Sequence, residues 1–131
     1  MLETSKAFSG IAVKDLDEAK RFYSDVLGLR VDEGEMGMLV LQLAGDRPTL
    51  LYPKHDHVPA TYTVLNFPVD DVETAVDALT ARGVRFERYE GTDVETDAKG
   101  VFRGGGPLIA WFTDPSGNVL SVIQGPGLAT S

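Results

Sequence analysis

Cysteine is absent from the 131 residues. Its absence excludes disulfides, thiolate metal sites and a cysteine nucleophile, and it fits a reducing compartment. Histidine is scarce, with only two, and there is a single tryptophan. Apolar runs are short, as at Met38–Leu41, and none approaches the length of a membrane span. The opening MLETSKAFSG has no apolar stretch of signal-peptide length. The expectation is a cytoplasmic protein with no membrane partner. Basic residues are outnumbered, 12 Lys and Arg against 20 Asp and Glu, for a formal net charge of −8. An acidic surface repels phosphate backbones, so nucleic acid is not an expected partner.

Several catalytic signatures are missing too. No Gly-x-Ser-x-Gly occurs, and no Ser, His and Asp stand at recognisable spacing. Gly104-Gly105-Gly106 does not lead from a strand into a helix, so it is no phosphate-binding fingerprint. The acidic run Asp93–Asp97 lacks the spacing of a calcium loop.

What is present is a repeat. Ile11-Ala-Val-Lys-Asp-Leu-Asp-Glu-Ala19 and Phe67-Pro-Val-Asp-Asp-Val-Glu-Thr-Ala75 share one pattern: apolar, small or Pro, Val, polar, Asp, apolar, acid, polar, Ala. Each continues as a helical pattern ending at a glycine, Gly28 or Gly83, the residue favoured in the left-handed position past a helix end. Asp15 with Glu18 reads as a capping box, and Asp71 as the cap of the second helix. Leu16, Ala19, Phe22, Tyr23, Val26 and Leu27 share a helical face, as do Val72, Ala75, Val76 and Leu79. Strands are expected near 7–13, 29–35, 38–44 and 48–53, then near 61–69, 84–89, 108–113 and 119–124. Gly45-Asp46 and Asp114–Asn118 carry turn chemistry, and 90–107 is the longest irregular stretch. The fold class is therefore α+β: one domain over 1–131, with a β-α-β-β-β module over about 7–54 and another over about 61–124.

With IAVKDLDEAKRFYSDVLGL, FPVDDVETAVDALTARGV and FTDPSGNVLSVIQ in this order, the chain resembles the vicinal oxygen chelate superfamily, the glyoxalase/bleomycin-resistance/dioxygenase group. The resemblance implies two modules whose curved mixed sheets form a cup, often in a homodimer. It also implies where metal-dependent relatives carry His or Glu ligands. Those positions fall here on Phe8, Thr49, Val64 and Ser121. A phenyl ring and an isopropyl group have no donor atom, and two neutral hydroxyls do not replace carboxylates or imidazoles. The expectation is accordingly no metal and no cofactor.

Strand alternation, taken separately, assigns faces. It sets Phe8, Met38, Val40, Gln42, Val64, Asn66, Ser121 and Ile123 on the mixed faces of their strands. In the cup that the resemblance implies, they line the interior together with Leu51, Ile109, Trp111 and Thr49, and Gln42, Thr49, Asn66 and Ser121 are its scattered polar groups. Such a lining suits a small organic ligand, and Trp111 offers a face for a planar or cationic one. Arg103, in the long loop, is a candidate partner for an anionic ligand. His55-Asp56-His57 has metal-ligand chemistry if the segment is extended, since both imidazoles would then point the same way; the plainer reading is a polar connection between modules. The expected function is binding or sequestration of an apolar or aromatic metabolite or drug. The alternative is a glyoxalase- or dioxygenase-like lyase, isomerase or dioxygenase with a non-standard or absent metal site. A third reading is an interaction module whose cup is filled by its own side chains.

Overall fold

A computed structural model of the chain describes residues 1–89 and 91–128. It divides into two compact units, Met1–Val58 and a second beginning at Pro59. Among the described residues each carries a four-stranded mixed sheet and one α-helix.

In the first unit the elements are β1 (Ser9–Val13), α1 (Leu16–Arg21), β2 (Arg30–Glu33), β3 (Leu39–Leu43) and β4 (Arg47–Pro53). The sheet order is β1-β4-β3-β2, with β1 parallel to β4 and the other pairs antiparallel. The Asp15 side chain accepts the Glu18 backbone N–H at 3.0 Å, satisfying one of the orphan donors of the helix start. Past Arg21 the helix widens into a π turn over Phe22–Val26, with Leu27 N–H reaching the Phe22 carbonyl. This widening rotates the later apolar residues off the expected stripe, so Ala19 and Tyr23 are fully buried and Phe22, Val26 and Leu27 only partly. Gly45 and Asp46, with φ of 83° and 55°, turn β3 into β4.

The second unit holds β5 (Thr63–Val69), α2 (Val72–Ala81), β6 (Val101–Phe102), β7 (Ile109–Thr113) and β8 (Val119–Gln124), ordered β5-β8-β7-β6. Asp71 accepts the N–H groups of Glu73 and Thr74, and the Gln124 side-chain carbonyl accepts that of Val72, so β8 itself caps α2. At the other end Val84 N–H bonds the Leu79 carbonyl and Gly83 N–H that of Thr80, with Gly83 at φ 93°. That pair of bonds is the Schellman closure. Val72 and Val76 pack with Ala110, Phe112, Leu120 and Val122, all buried, as this unit's core.

The expected strand at 84–89 is corrected. Only Phe86 bridges, to Phe112, and Glu87 N–H bonds the Trp111 carbonyl. The edge beside β7 is completed instead by β6, from within the stretch read as irregular. Two short segments divide one edge, each too short to carry a strand pattern of its own.

Asp114-Pro-Ser-Gly-Asn118 forms the β7–β8 turn around a buried carboxylate. Asp114 Oδ1 accepts the backbone N–H of Ser116 and of Asn118, both at 2.9 Å, and Oδ2 accepts Asn118 Nδ2 at 2.9 Å. One of the motifs that carry the resemblance therefore has a structural role.

Candidate functional site in the second unit

Register decides which side chains share the face that α2 leaves uncovered. Asn66 lies opposite Ser121, Ser121 opposite Trp111, Ile123 opposite Ile109, and Ile109 opposite Phe102. Directly opposed residues in a sheet point the same way, as do residues two apart. Asn66, Ser121, Trp111, Ile109, Ile123 and Phe102 thus form one continuous face, opposite the buried set of Ala110, Phe112, Leu120 and Val122.

Trp111 is the centre of this face and is partly exposed. Its indole N–H donates to the Thr63 hydroxyl at 3.1 Å, which fixes the ring's orientation. Tyr89 meets it edge-on, with centroids 5.4 Å apart at 65°, and Phe102 lies tilted beside it at 6.0 Å. Burial, and secondarily the charge of Glu87, pushes the Tyr89 phenol above its ordinary pKa, so it is a neutral hydrogen-bond donor at physiological pH. Next to the indole, Ser121 is fully buried and its hydroxyl donates to Asn66 Oδ1 at 2.5 Å. That bond leaves the amide NH₂ of exposed Asn66 available. The chemical capacity is a flat aromatic surface flanked by an amide donor and a phenol. Val64 sits at the register irregularity between Thr63 and Leu65, partly exposed.

The residues expected of the first unit are placed differently. Leu51 is opposite Ile11 and Thr49 opposite Ser9, so both lie on the buried, helix-covered face, 0% and 2% exposed. The assignment of Thr49 and Leu51 to the open face is corrected by one residue. Leu50 and Tyr52 take that face with Gly10, Ala12 and Val40. The Thr49 hydroxyl bonds Ser9 at 3.0 Å. Phe8 precedes β1 and is 66% exposed. Gln42 is exposed and its amide donates to Asp32, which Arg30 also engages.

Arg103 does not stand free as a partner for an anionic ligand. Its guanidinium holds Asp97 at 2.8 Å and Glu73, in the first turn of α2, at 2.9 Å. This pins the loop to the helix and spends the charge. Burial alone would raise the Asp97 carboxyl. Hydrogen bonds from Arg103 and from the Val101 and Lys99 backbone, with the Arg103 charge, outweigh it and hold Asp97 below its ordinary pKa. A carboxyl depressed on folding contributes stability above its unfolded pKa, near 3.9, that is lost as pH falls through the folded value. Amide-exchange protection of Val101 and Lys99 is thus expected to be steady down to about pH 4 and to drop below it. In Asp97→Asn that pH dependence should vanish.

His55-Asp56-His57 is not extended. The segment turns, closed by His57 N–H on the Lys54 carbonyl, while Asp56 pairs with Lys54. The two-residue rule that would align the imidazoles does not apply to a turn, and His55 is exposed where His57 is partly enclosed. Among the described residues no three His, Asp or Glu side chains are grouped to hold an ion. Phe8 and Val64 lack donor atoms, Thr49 faces the helix, and the Ser121 hydroxyl is spent on Asn66. These four residues do not fit a divalent ion.

Tyr89, Phe102 and Thr63 complete the aromatic face and were not among the expected site residues. Phe102 reaches it only because β6 pairs with β7, and no local pattern announces that pairing.

The profile of the Glyoxalase/Bleomycin resistance protein/Dioxygenase superfamily matches residues 7–122. None of the curated proteins matches. Among solved structures, a protein from the mobile metagenome of V. Pseudocholerae is 25% identical with a TM-score of 0.64, covering 95% of this chain and 97% of that one. TnmS3, an antibiotic binding protein from Streptomyces sp., is 24% identical at a TM-score of 0.64, covering 92% and 97%. FosX, a fosfomycin resistance protein from Listeria monocytogenes, is 14% identical at 0.69, covering 95% of each chain. The last two likenesses are likenesses of fold.

Proposed function

The chain belongs to the glyoxalase/bleomycin resistance protein/dioxygenase superfamily, and from that premise we propose that it binds a planar aromatic small molecule on the open face of its second unit, without a metal. The observation that carries this reading is the Trp111 ring, partly exposed, oriented by Thr63 and walled by Tyr89 and Phe102. A rigid aromatic platform loses little entropy when a flat ligand stacks on it. Asn66 supplies a directed donor at its edge. A fold likeness to an antibiotic binding protein accords with sequestration rather than turnover. The ligand classes it fits best are polycyclic aromatics bearing a carbonyl, which stack on the indole and accept from the Asn66 amide.

Trp111 is the only tryptophan, so its fluorescence reports this face alone. Titration with a panel of planar aromatic carbonyl compounds is expected to quench it saturably, at micromolar concentration and equally with and without a chelator. An unquenched indole across the panel would end the proposal, and so would quenching that required an added divalent ion. The enzymatic alternative predicts turnover that His55→Ala/His57→Ala abolishes; the binding reading predicts unchanged ligand in both proteins. A cytoplasmic homodimer is the form we propose for the working protein.

A further inference from the structure

The second unit has a cavity of about 640 Å³ beside the C-terminal half of α2, lined by Val76, Phe86, Arg85, Arg88, Lys99 and Asp77 among others. Its size falls within the usual range for small-molecule sites. In a chain of net charge −8, this concentration of cations calls for an explanation. Lys99 is paired with Asp77 at 3.0 Å. Among the described residues the guanidinium groups of Arg85 and Arg88 make no ion pair or hydrogen bond. The carbonyl end of α2 adds only about half a negative charge nearby. Asp77 is the one carboxylate among the described lining residues and Lys99 already holds it, so the lining itself carries a surplus of positive charge. Val76 and Phe86 give the cavity an apolar side.

The wall opposite the helix is held in place by backbone packing. Gly100 has φ 94°, and a Cβ there would meet Phe86 Cβ at 2.8 Å and the Glu87 carbonyl at 3.3 Å. The turn is fixed by Asp97, which accepts from Lys99 N–H and Val101 N–H at 2.9 Å each. Cavity, unspent guanidinium pair and braced wall occur together.

We infer that this cavity is a second binding site, for a small organic anion with an apolar body and a phosphate or carboxylate head. Guanidinium groups bind either head through paired N–H donors, while Phe86 and Val76 take the body. The inference is independent of the aromatic face around Trp111, from which it shares no lining residue.

The test uses phenyl phosphate and benzoate as the two anionic probes and benzyl alcohol as the neutral one, at constant ionic strength. At least one anionic probe is expected to bind saturably and raise the melting temperature by about 4 °C at ten times its dissociation constant. Which of the two does so identifies the head group. Arg85→Gln/Arg88→Gln should lose at least about tenfold in affinity. Both arginines are exposed and their guanidinium groups pair with none of the described residues, so this variant should melt like the parent when unliganded. Trp111→Phe should bind the anion unchanged, which separates failure here from failure of the aromatic face. The inference is overturned if neither anion binds, if benzyl alcohol binds as well as the anions, or if the double variant keeps the parent affinity.

Discussion

Asp114→Ala is expected to lower the stability of the protein by about 3 kcal/mol. The carboxylate is 4% exposed and accepts two backbone N–H groups and one side-chain amide. Hydrogen bonds to a charged acceptor are each worth about 1.5–3 kcal/mol, but their losses do not add, because a loosened turn lets water reach some of the donors. For a chain of this length the change corresponds to a fall of about 10 °C in melting temperature, read by calorimetry. Asp114→Asn should cost about half as much, since it keeps one acceptor oxygen and sets an amide NH₂ against Asn118 Nδ2. A parent-like melting temperature for Asp114→Ala would mean that the turn is held by its backbone bonds alone, such as Asp114 N–H to the Asn118 carbonyl. Because the β7–β8 hairpin carries both Trp111 and Ser121, the variant should also bind aromatic ligands more weakly. Saturating ligand should restore part of the lost melting temperature.

The second large effect concerns binding. Trp111→Ala is expected to weaken binding of a planar aromatic ligand by about 2 kcal/mol, roughly 30-fold, as central aromatic anchors do. Calorimetry must report it, since this variant has no tryptophan. Trp111→Phe keeps a flat ring but loses the N–H bond to Thr63, so it should lose only a few-fold. Thr63→Val frees the indole while leaving its area intact, and should match Trp111→Phe if orientation is what that bond provides. Equal affinity in the parent and Trp111→Ala would remove the aromatic face from the binding site altogether.

Both substitutions fall in the module where the chain was easiest to read in part and hardest in the rest. The repeat, the helix caps at Asp15 and Asp71, the glycine stops and the turn at Asp114–Asn118 all rest on neighbours in sequence, and each is found where local chemistry puts it. Asn66 and Ser121 were legible as mixed-face residues because alternation is also local once a strand is assigned, and the resemblance added Trp111 beside them. The placement of Thr49, carried over from the family's spacing, and of Leu51 two residues on failed, because one residue of phase exchanges the open face for the core.

Three features needed the folded chain. The edge strand is Val101–Phe102, not 84–89, because β7 accepts two short partners whose pairing is set by tertiary fit and not by their own pattern. Arg103 is bound by Asp97 and Glu73, an arrangement created when the loop returns to the start of α2. The ring cluster of Tyr89, Phe102 and Trp111 depends on the same return. The sequence alone determined the modules, their caps and turns, and the want of donor atoms at Phe8 and Val64, because those follow from residue chemistry and short-range geometry. Which aromatic rings meet, and which acids Arg103 and Lys99 pair with, was decided by contacts between segments distant along the chain, whose free energy no local pattern encodes.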